Sequence, residues 1–183
     1  NRDHTGHFWM GGNQCIAKYS WDTREITHYN ASKGQFPEGK IVTVFNDSTR
    51  MWFGSTEGLL WYDEKNDSIS RVNSPELSGA VNLISAIDTS WLIVSQPYGI
   101  YLMDLPLFTK TGEVKLFLFN NANGFMGNEP GQDGAFTDSK GNIWMTTGTE
   151  VVRMDPQKLH FNDNHLDVRI AQCNGKPLAY GEQ

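Results

Sequence analysis

Residues 51–63 read MWFGSTEGLLWYD, and three further 13-residue stretches repeat this pattern without a gap. These stretches are FWMGGNQCIAKYS at 8–20, LIVSQPYGIYLMD at 92–104 and IWMTTGTEVVRMD at 143–155. Their second positions are spaced by 43, 41 and 51 residues and are occupied by Trp9, Trp52, Ile93 and Trp144. A repeat of about 40 to 45 residues is typical of one blade of a β-propeller.

Each 13-residue unit predicts a β-hairpin. Two short runs rich in aromatic and β-branched residues surround a turn with one glycine, and this pattern favours two antiparallel strands. The glycines are Gly12, Gly58, Gly99 and Gly148. A polar turn beginning with Asp3, Asp47 or Asp138 precedes three of the units. We expect these aspartates to bond to the backbone of the turn rather than to act as acids or bases.

Further apolar runs complete a four-stranded repeat. Two of them precede a hairpin, at 41–45 and 81–87, and two follow one, at 68–72 and 114–119. Four short antiparallel strands per repeat predict an all-β chain that forms a partial β-propeller of about four blades. Helices are expected to be nearly absent.

The propeller part is predicted to span 1–162. Its repeats lie near 1–30, 31–73, 74–120 and 121–162. The first blade is incomplete, because only Asn1 and Arg2 precede its turn. We therefore expect the chain to be a fragment with open sheet edges, which favour pairing with a missing segment or with another chain.

The repeated tryptophans are expected in the core. Trp9, Trp52 and Trp144 occupy one blade position and have small or polar residues nearby. This pattern is typical of side chains that pack one sheet against the next.

The composition argues against several classes of function. The 183 residues carry 15 Lys and Arg against 21 Asp and Glu, a net charge of −6, so we expect no direct contact with nucleic acid. No apolar run approaches the roughly 18 residues of a membrane-spanning helix, and the start shows no signal-peptide pattern. Cys15 and Cys173 lack zinc-ligand spacing and form either a disulfide or two separate buried thiols.

Catalytic motifs are missing from the sequence. It has no G-x-S-x-G, no H-E-x-x-H, no phosphate-binding glycine loop and no kinase signature. Among the five histidines only His4 and His7 have short metal-ligand spacing, and we expect a terminal turn there and not a metal site. We therefore expect this chain to be a recognition module and not an enzyme, with no cofactor and no metal site.

Two stretches carry a family resemblance. They are DSKGNIWMTTG at 138–148 and RMWFGSTEGLLWYD at 50–63, and both resemble the regulatory-propeller repeat, D-x-x-G-x-[IL]-W-[FIV]-G-T-x-x-G-L-x-x-[YF]-D. The segments NGFMGNE at 123–129 and GAFTD at 134–138 resemble that family's entry to the last blade. The stretch LDVRIAQCNGKPL at 166–178 resembles the start of the β-sandwich called the three-tyrosine domain. We accordingly expect 163–183 to hold the first strands of a C-terminal β-sandwich.

The resemblance implies a function as well as a fold. Repeats of this family occur in periplasmic sensor regions of hybrid two-component systems, chiefly in Bacteroidetes that degrade polysaccharides, and their ligands are typically oligosaccharides. The implied role is the sensor part of an inner-membrane histidine kinase that controls transcription of polysaccharide-utilisation genes. The implied partners are an oligosaccharide, the other blades and sandwich domain of the parent protein, and a second copy in a homodimer.

Aromatic residues that break the repeat are the better candidates for ligand contact, since sugar rings stack on exposed aromatic faces. They are Trp21, Trp61, Trp91 and Tyr98. The irregular segment 120–133 adds more candidates, because long loops on rigid scaffolds often carry function. These are Asn121, Asn123, Phe125, Asn128, Glu129 and Gln132. For each residue the competing interpretation is packing, or locking of the ring.

Two other functions remain open at this point. A propeller lyase or glycoside hydrolase would need paired carboxylates, or His with Tyr or Arg, converging on the central channel. A protein-interaction propeller without a small ligand would present its exposed aromatics as one flat apolar patch.

Overall fold

The computed structural model describes residues 1–120, 122, 125, 130–148 and 150–159, together with the backbone of 172–173 and 176–177. The main part of this description consists of four antiparallel sheets of three or four strands, each an open row of strands in sequence order. The predicted all-β class and the partial propeller are confirmed.

The four sheets follow one another along the chain. Sheet 1 contains β1 (Phe8–Gly11), β2 (Cys15–Tyr19) and β3 (Ile26–Asn30). Sheet 2 contains β4 (Ile41–Asn46), β5 (Met51–Ser55), β6 (Gly58–Asp63) and β7 (Ser68–Arg71). Sheet 3 contains β8 (Leu83–Ile87), β9 (Trp91–Gln96), β10 (Gly99–Asp104) and β11 (Leu116–Phe119). Sheet 4 contains β12 (Pro130–Thr137), β13 (Ile143–Thr147) and β14 (Val151–Met154).

Single turns of 3-10 helix occupy Ala31–Lys33, Pro75–Leu77 and Pro156–Lys158. Near the end of the chain, β15 (Gln172–Cys173) pairs with β16 (Lys176–Pro177). The rest of the predicted sandwich segment, 163–183, lies outside the described residues.

Every 13-residue unit forms the predicted hairpin. In sheet 2, Trp52 lies opposite Trp61 and Ser55 opposite Gly58, and the tryptophan-free third unit pairs in the same way. The hairpin turn needs glycine at position 58, since its φ is 132° and a Cβ there would stand 2.7 Å from the Leu77 carbonyl oxygen.

The sheets stack with their first strands side by side, as propeller blades do. β4 contacts β8, and β8 contacts β12. Sheet 1 has the predicted incomplete first strand: Trp9 exchanges two backbone hydrogen bonds with Asn1, and Arg2 forms an isolated bridge to Phe8.

Buried apolar clusters lie between consecutive sheets. Trp9, Tyr29 and Phe53 belong to the cluster between sheets 1 and 2, and Trp52 and Leu92 to the cluster between sheets 2 and 3. Successive strand residues point to opposite faces, so sheets 2 and 3, which have a described sheet on each side, supply side chains to two clusters each. Full burial of one such large side chain stabilises the fold by about 1.5–3 kcal/mol.

The core prediction is confirmed for Trp9 and Trp52 but is wrong for Trp144, which is 38% exposed. Its neighbours Ile143 and Met145 are buried against sheet 3. Strand alternation therefore turns Trp144 to the other face of sheet 4, where the described part of the chain places no further sheet.

A helix that the sequence analysis missed, α1 (Leu105–Thr111), connects β10 to β11. Asp104 caps its start, because one side-chain oxygen accepts the Leu107 N–H at 2.9 Å. Gly112 ends it with φ of 75°. Among the described residues, no helix is long and apolar enough to cross a membrane.

The disulfide alternative is not realised at Cys15, which carries a free thiol. Its sulfur lies 3.8 Å from Nδ1 of His28. The side chain of Cys173 lies outside the described residues.

Candidate functional site: a cleft on the aspartate-turn face

The predicted aspartate turns form one end of the sheet stack. In the turn before β5, Oδ1 of Asp47 accepts the backbone N–H groups of Thr49 and Arg50 at 2.8 and 2.7 Å. The other oxygen, Oδ2, accepts the indole N–H of Trp52 at 2.7 Å. One carboxylate thus fixes the turn and satisfies the polar atom of a buried tryptophan.

The same Asp–Trp bridge occurs in two other sheets. Asp3 accepts the indole N–H of Trp9 at 2.6 Å, and Asp138 accepts that of Trp144 at 2.9 Å. Burial alone would raise the pKa of Asp3, but hydrogen bonds from Trp9 and the adjoining turn outweigh it and lower that pKa. The bonds from Trp144 and Asn142 hold the pKa of Asp138 far below its usual range. The sequence analysis recognised the turn but missed the tryptophan bond.

A cleft of about 460 Å³ opens on this turn face. Lys18 of β2 lies on one side of it, the turn of Arg50 and strand β6 form its middle, and Phe108 of α1 closes the other side. Its walls therefore come from three consecutive sheets. The residues that matter below are Lys18, Arg50, Trp61, Tyr62, Asp63 and Phe108.

Arg50 is the most unusual group in the cleft. Its guanidinium carbon lies 4.7 Å from the ring centre of Trp61, 5.2 Å from that of Phe108 and 5.5 Å from that of Trp52. Its Nη1 atom is buried and has no hydrogen-bond partner. Burial lowers the pKa of Arg50, and the negative charges of Asp47 and Asp63 oppose that shift only in part.

The charge of Lys18, in the cleft wall, is neutralised by Asp67. Nζ of Lys18 lies 3.0 Å from Oδ1 of Asp67 and 3.0 Å from the hydroxyl of Tyr62. The hydroxyls of Tyr29 and Tyr62 both donate to the same Asp67 oxygen at 2.6 Å. These three donors lower the pKa of Asp67 to about 2. The cluster joins sheet 1 to sheet 2 at the edge of the cleft.

Of the predicted ligand-contact aromatics, only Trp61 lines the cleft. Trp21 is 67% exposed and lies on the outer face of sheet 1 beside Phe8, with ring centres 6.2 Å apart. Trp91 is partly buried and packs edge-on against Phe117 at 5.5 Å. Tyr98 is 90% exposed at the tip of the β9–β10 hairpin. The structure does not bring these residues together.

The candidate residues of segment 120–133 occupy different environments in the structure. Phe125 is 4% exposed and belongs to the core between sheets 3 and 4, so its side chain is a packing residue and not an exposed ligand contact. Gln132 donates from Nε2 to the Val42 carbonyl oxygen at 2.9 Å and links sheet 4 to sheet 2. The remaining candidates lie outside the described residues: Asn121, Asn123, Asn128 and Glu129.

The channel side of the sheets presents mainly apolar and hydroxyl groups. A hollow of about 240 Å³ is lined by β4, β8 and β12, and its one ionisable side chain in the described residues is Asp133. Groups of three or more His, Cys, Asp or Glu that could hold a metal are also absent from the described part.

Comparison with solved structures places this fold. The chain is similar to the extracellular domain of the proposed hybrid two-component system BT3049 from B. thetaiotaomicron, with a TM-score of 0.68 and 18% identity over 85% of this chain and 21% of that one. It is also similar to two structures of the extracellular domain of BT4673 from the same organism. One is described as a one-component system and has a TM-score of 0.71 and 16% identity over 86% of this chain and 23% of that chain. The other is described as a hybrid two-component system and has a TM-score of 0.62 and 14% identity over 83% of this chain and 20% of that chain.

No family model matches the sequence, and no curated protein matches it. The chain spans about a fifth of the length of these neighbours. At this level of identity the similarity concerns the fold: the chain has the architecture of one stretch of these extracellular domains.

Proposed function

We propose that this chain is part of the extracytoplasmic, ligand-sensing region of a two-component regulator, and that the ligand is an oligosaccharide. The observation that carries the proposal is the match of 83–86% of the chain to extracellular domains of such systems. The resemblance of the repeats to the regulatory-propeller family supports the same role. In this proposal the parent protein is an inner-membrane histidine kinase whose sensor faces the periplasm and which controls polysaccharide-utilisation genes.

The cleft supports a binding role. It is concave, it combines aromatic walls with a few polar groups, and it lies between rigid sheets, as small-molecule sites commonly do. A sensing mechanism further requires that the ligand bind one arrangement of the sensor better than another. The cleft is built from three sheets, so its shape would change with the placement of those sheets.

The proposed partners include the rest of the parent protein. Sheet 1 exposes Phe8, Met10 and Ile26 on its outer face, and sheet 4 exposes Phe136 and Trp144 on the opposite end of the stack. Apolar faces of this kind are typical of surfaces that another element covers. We propose that neighbouring blades of the longer protein, or a second copy of it, pack on them.

The proposal is tested by calorimetry of the complete sensor region against oligosaccharides from plant, host and microbial polysaccharides. Saturable binding of one oligosaccharide without its turnover supports the sensor role. Cleavage of an oligosaccharide would instead support a propeller lyase or hydrolase. The absence of both binding and turnover across the panel would contradict the proposal and favour a protein-interaction propeller.

A further inference from the structure

We propose that the cleft on the turn face binds an acidic sugar residue, whose carboxylate pairs with the guanidinium of Arg50. This inference deepens the proposed function and rests on it, since it specifies the chemical class of the saccharide. Arg50 also borders a second hollow, of about 470 Å³, on the side of Pro106 and Lys110. Arg50 therefore lies between two hollows of the surface.

The guanidinium of Arg50 is surrounded by three aromatic rings, and its buried Nη1 atom has no hydrogen-bond partner. A half-buried cation is costly unless a carboxylate or other acceptor bonds to it. The nearest acids are engaged elsewhere: Asp47 uses both oxygens for the turn and for Trp52, and Asp63 accepts from Lys65 and Asn66. Among the described residues, no acceptor forms a hydrogen bond with the buried Nη1 atom of this guanidinium.

Lys18 differs from Arg50 in having a carboxylate partner. That cation faces the same cleft, but it is paired with Asp67 and with the tyrosine hydroxyls. The chain therefore supplies a carboxylate partner for Lys18 and none that bonds to the guanidinium of Arg50. A carboxylate brought by a ligand would complete the second pair.

The shape and position of the Arg50 guanidinium also suit a carboxylate. The rings of Trp61 and Phe108 stand against the guanidinium and limit its movement. A fixed, planar guanidinium is suited to a carboxylate, which it can bind through two parallel hydrogen bonds. Beside it, Trp61 offers an aromatic surface for the sugar ring, and the exposed Thr109 and Lys65 at the cleft wall offer donors for its hydroxyls.

The test uses the complete sensor region and pairs of ligands that differ only in charge. The probes are uronic-acid oligosaccharides and the same oligosaccharides after reduction of the carboxyl group to an alcohol. Binding is measured by calorimetry for the wild type, for Arg50→Gln and for Arg71→Gln. Arg71 is a matched control, because it lies in the same sheet but bonds to the Glu57 carbonyl oxygen at the opposite end.

We expect the wild type and Arg71→Gln to bind one acidic oligosaccharide at least about tenfold more tightly than its reduced form, as a charge-assisted pair would give. Arg50→Gln should lose that preference. Thermal unfolding checks that Arg50→Gln is folded. If it is not, Arg50→Lys replaces it and should reduce the preference, because lysine lacks the planar fork.

Two results would overturn the inference. Equal affinity for acidic and reduced ligands in the wild type would do so, as would an unchanged preference in the Arg50 variants. If a neutral oligosaccharide binds independently of Arg50, the sensor proposal stands and the acidic-sugar site falls. If no saccharide binds at all, both fall.

Discussion

Replacement of Asp47 by asparagine is the most direct test of how the blades are held. Asp47 accepts on both carboxylate oxygens, from two backbone N–H groups of its turn and from the indole N–H of Trp52. Asparagine has the same shape but only one acceptor oxygen, and its amide nitrogen is a donor. Whichever way the amide turns, it places a donor against a donor.

The expected loss of stability in Asp47→Asn follows from the burial of Trp52. Trp52 is fully buried, so its indole N–H has no access to water when the carboxylate oxygen is lost. An unsatisfied buried donor costs about 1–3 kcal/mol, and we expect Asp47→Asn to lower the free energy of unfolding by about 2 kcal/mol. In sheet 3 the corresponding hydrophobic position is Ile93, whose side chain has no N–H to satisfy, and the turn before it begins with Asp88. Asp88→Asn in its turn should therefore change stability by no more than about 0.5 kcal/mol.

The assay is urea unfolding of the complete sensor region, with a double-mutant cycle between Asp47→Asn and Trp52→Phe. Phenylalanine removes the donor, so the cost of Asp47→Asn should fall by at least about 1 kcal/mol in that background. Our reasoning is refuted if the cost is the same in both backgrounds, or if Asp47→Asn is as harmless as Asp88→Asn.

Three further outcomes are expected. A Cβ on residue 54 would stand 2.7 Å from the Val81 carbonyl oxygen, so Gly54→Ala should lower the free energy of unfolding in urea by about 1–3 kcal/mol. Gly148→Ala is the control and should be nearly neutral, because none of the neighbouring atoms described lies within 4 Å of its added Cβ. Phe108→Ala should cost about 3 kcal/mol, because the ring is buried against the cleft wall; a Tm equal to that of the wild type would contradict this. The pKa of Asp67 falls from 3.8 to about 2 on folding, so its contribution to stability is present above pH 4 and is lost as the pH falls toward 2. Acid unfolding of Asp67→Asn should accordingly be less steep in that range, and an identical profile would count against the Lys18 cluster.

The blades could be predicted from the sequence because their signals are local. Alternation of apolar residues, a glycine in each hairpin turn and an aspartate in the preceding turn of three units all fall within about 20 residues of one another. The same local reasoning failed for α1, although Asp104, Pro106 and Gly112 are ordinary signals for the start and end of a helix. In sheets 1 and 2 the corresponding position holds only a short turn before the next strand, so the repeat pattern gave no reason to expect a helix here.

The candidate site was less predictable because it depends on contacts between repeats. Trp61 was identified as an aromatic residue that breaks the pattern, and it does line the cleft. Arg50 was passed over as a polar turn residue. Its importance arises from Phe108, 58 positions later, which reaches it only because α1 is inserted into the next sheet. The core prediction for Trp144 was wrong for a related reason. A side chain on one face of a sheet is buried only when another sheet packs against that face.

The contacts between sheets also suggest where a ligand could act. Sheets 1 and 2 are joined at the cleft by hydrogen bonds of Lys18, Tyr29 and Tyr62 to one carboxylate. Sheets 2 and 3 are joined there by aromatic packing of Phe108 on Trp52 and Trp61. The two junctions therefore differ in kind: the first is held by hydrogen bonds to a shared acceptor and the second by aromatic packing. In our proposal the ligand paired with Arg50 lies at the second junction, and by binding best to one spacing of sheets 2 and 3 it would shift the population toward that spacing.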